Sequence, residues 1–171
     1  MPNNTINSLC EDEQGSIWGA TSDGIFNYSV SENKFTNYAA PKEALGNNIV
    51  YITIDQQQTI YAVSSFAILQ FDKAKHQFQL LSLIKADEDS LPKMQVGKNR
   101  ALYDERSKGL WFGFTTGLYF YDLSTHKLSG HFNQATEELF NERDVTALAK
   151  SSDGNIWCCD NQQKEVISFD P

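Results

Sequence analysis

This 171-residue sequence predicts an all-β fold, a β-propeller of four-stranded antiparallel blades, and three observations carry that reading. Aromatic residues recur at one place in four successive units, Trp18, Tyr61, Trp111 and Trp157, at steps of 43, 50 and 46 residues. That is the period of a propeller blade. The punctuation recurs with them: Asp12-x-x-Gly15-x-x-Trp18 is followed by Ser22-Asp23-Gly24, Asp104 and Gly109 precede Trp111 and Gly117, and Asp153-Gly154 precedes Trp157. Aspartate at a turn accepts backbone N–H groups and glycine tolerates positive φ, so the pair marks turns. Between the turns, apolar residues alternate with period two, the strand signature.

The first unit, residues 5–38, reads as an inner strand over 6–11, a turn at 12–15, a second strand over 16–20 carrying Trp18, and a turn at 21–23. Strands over 24–29 and 34–38 complete it. The second unit, 49–81, keeps the alternation Val50, Ile52, Ile54 and Ile60, Ala62, but 55–58 lacks glycine, Ser65-Phe66-Ala67 replaces Ser-Asp-Gly, and Tyr61 stands for tryptophan. The third, 99–132, has one extra residue in its first turn. The fourth, 144–170, has no outer strand. Long connections cover 39–48, 82–98 and 133–143, and the last has apolar spacing suited to a short helix. A single meander cannot bury both its faces, and stacked blades with the repeat aromatics between neighbouring sheets can. The sequence therefore reads as one partial propeller domain over 1–171 with about four blades.

A chain of this length can bury roughly 70% of the surface its unfolded form exposes. Fourteen basic against 22 acidic residues leave a net charge of −8. That field repels phosphate backbones and anionic lipid, so neither nucleic acid nor membrane contact is expected. Asp87-Glu88-Asp89 reads as a solvated loop rather than a metal site. No apolar run approaches the ~18 residues of a membrane span, and the opening stretch lacks an export signal. Cys10, Cys158 and Cys159 cannot all pair. Cys158 and Cys159, adjacent on a strand, point to opposite faces and are expected to be small buried hydrophobes.

Signatures of chemistry are missing: no Gly-x-Ser-x-Gly elbow, His-Glu-x-x-His helix, phosphate-binding glycine loop or Cys-x-x-Cys pair occurs. His76 and His126 match Asn33 in the turn before the outer strand, and His131 stands alone, so no metal or other cofactor is expected. Residues 151–157 are similar to the aspartate box of sialidases but lack the residue between Asp153 and Gly154, and no arginine cluster accompanies them. A binding module is favoured over an enzyme.

The strings SLCEDEQGSIWGATSDGIFNY, ALYDERSKGLWFGFTTGLYFY and ALAKSSDGNIWCCDNQQKEVISF resemble the two-component regulator propeller repeat. Departures are Tyr61, the glycine-free second unit, and Asp160 at the place of Thr21. The resemblance implies part of the periplasmic sensor region of a bacterial hybrid two-component regulator, a non-catalytic segment whose relatives commonly respond to oligosaccharides and often act as dimers. It also implies propellers of more than four blades. The sequence is accordingly read as a piece of a larger propeller, or as a module completed by pairing with a second copy. The alternatives are a protein-interaction scaffold and, further off, a propeller lyase or glycosidase.

In an up-and-down meander, the turns after each second strand and the blade-to-blade connections share one rim, the expected binding surface. Sugar recognition there calls for aromatic faces plus amide and carboxylate hydrogen bonds. Candidates are Asp23, Phe66, Thr115, Thr116, Asn161, Gln162 and Gln163, with Arg100 and Arg143 at the start of inner strands. Asp12, Gly15, Trp18, Gly24, Tyr61, Asp104, Gly109, Trp111, Gly117, Asp153, Gly154 and Trp157 are assigned structural roles as turn-makers, turn-permitters and inter-blade fillers.

Overall fold

Turn chemistry sets the first sheet. Strands β1 (Ile6–Glu11), β2 (Ile17–Thr21), β3 (Gly24–Ser29) and β4 (Lys34–Tyr38) pair antiparallel in chain order. Between β1 and β2, the Asp12 carboxylate accepts the N–H groups of Gln14 (3.1 Å) and Ser16 (2.8 Å), and Gly15 takes a φ of 75°. The other carboxylate oxygen accepts the Trp18 indole N–H at 2.9 Å. One residue thus shapes the turn and fixes the ring of the strand that follows. At the next turn Thr21 Oγ1 accepts the Asp23 N–H and donates to the Gly24 carbonyl. Gly24, at φ 111°, leaves no room for a Cβ, which would sit 2.7 Å from the Tyr38 carbonyl oxygen.

This computed structural model describes residues 5–84, 96–97, 99–130, 139–140 and 143–171. Asp87-Glu88-Asp89, His131 and most of the connection expected to be helical lie outside the described residues, although Leu139 and Phe140 are helical. The second sheet is β5 (Ile49–Ile54), β6 (Ile60–Ser64), β7 (Ala67–Asp72) and β8 (Gln77–Leu83). The third is β9 (Ala101–Asp104), β10 (Gly109–Phe114), β11 (Gly117–Asp122) and β12 (Lys127–Gly130). The fourth has three strands, β13 (Val145–Lys150), β14 (Ile156–Asp160) and β15 (Glu165–Phe169). The fold class is the one predicted, all-β with propeller blades.

The first turn is kept in every blade by different residues. In the second, Gln58 takes the left-handed φ (60°) in place of glycine, and the Asp55 carboxylate accepts the Thr59 N–H at 2.7 Å. In the third, Lys108 takes it (φ 52°). Gly109 is therefore not the turn-permitter expected: it lies inside β10, where a Cβ would collide with the Phe120 ring. The extra residue also changes the indole's anchor, since Trp111 donates to Ser107 Oγ (3.2 Å), which in turn donates to Asp104 (2.7 Å). In the fourth, the residue equivalent to Asp12 is Ser151, not Asp153. Ser151 and Gly154 make the turn's backbone bonds, whereas the Asp153 carboxylate binds Ser151 and the Asn155 N–H. Asn33, His76, His126 and Lys164 all adopt left-handed φ before the last strand of their blades, as turn residues.

The chain divides into two compact units, 1–95 and 96–171. In the first, Trp18 packs on the neighbouring blade against Phe71 (ring centroids 5.1 Å apart) and Phe78 (6.3 Å), within a core that includes Ile25, Ile52, Ala62 and Leu69. In the second, Trp111 meets Phe169 at 5.1 Å, with Phe140, Val145, Ile156 and Cys158 around it. The Lys150 ammonium bonds the buried Asp104 carboxylate at 2.5 Å, a second tie between those two sheets. Burial pushes the thiols of Cys10 and Cys158 up to about 12, as expected for small hydrophobes, but Cys159 is exposed. Tyr61 is buried. Trp157 fills no inter-blade space, because 43% of it is exposed on the outer face of β14.

These environments predict unequal costs of truncation. Trp18→Ala or Trp111→Ala opens a cavity in a packed core and costs about 4 kcal/mol. Trp157→Ala in dilute solution changes stability by less than about 0.5 kcal/mol. Urea unfolding curves of the three variants check this; equal losses would contradict the assignment.

Candidate functional site

In each unit, turns after second strands and the residues just ahead of inner strands come together at one end of the sheets. The backbone ties them: the Gly24 N–H donates to the Asn47 carbonyl (2.8 Å), the Ser65 N–H to Asn48 (3.2 Å) and the Asn161 N–H to Asp144 (2.9 Å). A short polar residue ahead of an inner strand thus meets three of these turns, that of the next blade for Gly24 and that of the same blade for Ser65 and Asn161.

In the second unit these segments line an open cavity of about 370 Å³, with Thr115, Thr116, Asp144, Asn161 and Gln162 on its walls. Thr115 and Thr116 project because Gly117 (φ 129°) reverses the chain directly behind them. The Thr116 hydroxyl lies 3.2 Å from the Tyr119 hydroxyl. The Asp144 carboxylate accepts from Asn161 Nδ2 at 3.2 Å and from Arg100 Nη2 at 3.4 Å. Arg100 therefore neutralises the wall.

Behind the cavity, Asp160 repeats the part of Thr21, its carboxylate accepting the Gln162 N–H at 2.9 Å. The Arg143 guanidinium bridges Asp160 (3.0 Å) and Glu165 (3.1 Å). Burial alone would push the Asp160 carboxyl up, but the N–H groups of Gln162 and Gln163 and the Arg143 charge outweigh it and hold the group below the usual carboxylate range. Glu165 and Asp160 in turn raise the Arg143 pKa. The first unit has a smaller pocket of about 120 Å³, lined by Leu45, Gly46, Asn47, Asn48, Ser64, Ser65 and Phe66.

Of the sequence candidates, Thr115, Thr116, Asn161 and Gln162 share the larger cavity. Phe66 lines the smaller one, and Asp23 stands beside it through the Asn47 side chain (3.4 Å). Arg100 and Arg143 support the rim through ion pairs, and Gln163 is exposed away from the cavity lining. Sequence reasoning missed Asp144, Asn47 and Asn48. The signal was available in the two stretches Asn48-Ile49 and Asp144-Val145, where an Asn or Asp precedes an inner strand. Among the described residues, no group of three His, Cys, Asp or Glu side chains could hold a metal ion.

Comparisons with known proteins agree with this architecture. The family model of the two component regulator propeller matches residues 1–23. A search of curated proteins finds no match. Among solved structures, the chain is similar to the extracellular domain assigned to a hybrid two component system of B. thetaiotaomicron, with a TM-score of 0.72 at 16% identity over 99% of this chain and 21% of that one. A second such domain from B. thetaiotaomicron gives 0.63 at 20% identity, over 98% of this chain and 25% of that one. A catalytically inactive virginiamycin B lyase from Staphylococcus aureus with quinupristin gives 0.65 at 13% identity, over 98% of this chain and 56% of that one. At these identities the likeness is one of fold. The chain spans about a fifth to a quarter of the two sensor domains.

The depressed Asp160 pKa gives the rim a pH dependence. A carboxylate whose folded pKa lies below its unfolded value of about 3.9 stabilises the fold above that pH, and the gain is lost as pH falls through the folded pKa. Asp160→Asn is expected to lower stability at pH 7 and to flatten the acid limb below about pH 4. Denaturant midpoints measured from pH 7 down to pH 2 test it; parallel curves for the two proteins would refute it.

Proposed function

We propose that this chain is a non-catalytic, ligand-sensing segment of the extracytoplasmic sensor of a hybrid two-component regulator, and that it holds a neutral oligosaccharide at the rim of its second unit. The observation that carries this is the cavity lined by Thr115, Thr116, Asp144, Asn161 and Gln162. Hydroxyls and side-chain amides are donors and acceptors matched to sugar hydroxyls, and the Arg100–Asp144 pair leaves no net charge for an ionic ligand. The family match at residues 1–23 and the likeness to extracellular domains of two component systems support the sensor context. Among the described residues no helix is long and apolar enough to cross a membrane.

Binding rather than turnover is supported by the state of the rim carboxylates. Asp144 is held by Arg100 and Asn161, and Asp160 by Arg143 and a backbone N–H, so neither stands free as a general base.

Isothermal titration with a panel of neutral oligosaccharides tests the reading. Binding is expected without turnover, and Thr116→Ala or Gln162→Ala should each weaken it by about 1 kcal/mol, roughly fivefold in Kd. Absence of binding across the panel, affinity unchanged in both variants, or cleavage of the ligand would overturn it.

A further inference from the structure

A turn follows the second strand of every blade, and three of the four carry polar residues at the tip: Ser22-Asp23, Thr115-Thr116 and Asn161-Gln162. The second blade carries Ser65-Phe66 there instead. Its shape is set without either side chain, because the Ser64 hydroxyl accepts the N–H groups of Phe66 (3.3 Å) and Ala67 (2.9 Å), and the Phe66 carbonyl accepts the Ile84 N–H (2.8 Å). The Phe66 ring is half-buried and packs on no other aromatic ring among the described residues.

Phe66 lines the pocket of about 120 Å³ in the first unit, and two further features of that pocket do nothing for the fold. Ser65 is only 5% exposed, and its hydroxyl accepts the Asn48 side-chain N–H at 3.0 Å. Among the described residues nothing accepts the Ser65 hydroxyl proton and nothing donates to Asn48 Oδ1. Whichever way the Asn48 amide is turned, the pair keeps one donor and one acceptor on the pocket wall. A donor left unmatched in so buried a side chain costs free energy. Leu45, also on the wall, follows a single 3-10 turn, Lys42–Ala44, and sits in the left-handed region at φ 59° and ψ 32° with 51% of it exposed. A bulky residue is strained there, and an exposed leucine returns nothing to the core.

We propose that this pocket is a binding site of its own for a small secondary amide, the acetamido group of an N-acetylated sugar. The Ser65 hydroxyl donates to the amide carbonyl, Asn48 Oδ1 accepts the amide N–H, and the methyl group lies against Phe66 and Leu45. No lining residue is charged, which suits a neutral amide and disfavours a carboxylate or an amine. A volume of about 120 Å³ is room for roughly four water molecules, enough for an acetamido group and too little for a pyranose ring with its hydroxyls. The site shares no lining residue with the cavity of the second unit. That the carrier is a sugar rests on the function proposed above; the amide chemistry does not.

Heteronuclear NMR titration of the 171-residue chain tests this with N-methylacetamide, N-acetylglucosamine and, as the amide-free control, glucose. Both amides should shift the Asn48 side-chain resonances and the Ser65 and Phe66 backbone resonances, and glucose should leave them in place. Ser65→Ala should weaken N-acetylglucosamine binding about fivefold, the worth of one hydrogen bond. Leu45→Gly should weaken it about threefold through the lost apolar contact. The same variant should unfold at an equal or higher urea concentration, because glycine takes a φ of 59° without strain. A leucine held there for the fold alone would give the opposite pattern. Equal shifts with glucose, no shift at Asn48 with either amide, or both variants binding as the wild type does would overturn the site, and shifts with N-methylacetamide alone would overturn the sugar as its carrier. Shifts confined to Thr116 and Asn161 would also refute it while leaving the reading of the second unit's cavity intact.

Discussion

A sheet of alternating side chains has two faces to bury, and in each unit the contact on which the rest depends is one indole laid against the aromatic residues of the next sheet. Trp18 on Phe71 and Phe78, and Trp111 on Phe169, are the centres of the two cores. Aromatic side chains bury about 150–250 Å² each and dominate the energetics of such cores. The geometry is not left to packing alone. Asp12 holds the Trp18 indole N–H directly, and Asp104 holds Trp111 through Ser107. The turn and the core are therefore one device.

That coupling explains the tolerance of the repeat. Blade two has no glycine in its first turn, and Gln58 adopts the same left-handed conformation at a modest backbone cost, while Asp55 keeps the acceptor role. Blade four keeps the turn with Ser151 but loses the carboxylate that would hold an indole, and its Trp157 is the one left on the surface. Both hydrogen-bond anchoring and a facing aromatic pair are present for Trp18, and among the described residues neither is found for Trp157.

The rim is built from what the blades leave over. Strand-to-strand turns and the residues before each inner strand must satisfy backbone groups away from any ladder, so they carry Thr, Asn, Asp and Gln. Those are also the groups suited to binding a polyol. Half-buried ion pairs behind them, Arg143 with the buried Asp160 and Arg100 with Asp144, fix loops that contribute no apolar core of their own.

The blade period, the strand order within each sheet and the family resemblance were legible in sequence, because period-two alternation and Asp/Gly turns are local signals spanning a few residues. So were Thr115, Thr116, Asn161 and Gln162 as rim residues, since up-and-down connectivity alone sets which turns share an end. Only the tertiary structure decided that Asp144 joins them and that Arg100 and Arg143 are occupied by carboxylates up to 44 residues away. It alone distinguished Trp157 from Trp18 and Trp111, and Gly109 from Gly15. Burial, ion pairing and the room for a Cβ depend on which chain segments lie opposite, and that is set by long-range packing rather than by the neighbours a residue has in sequence.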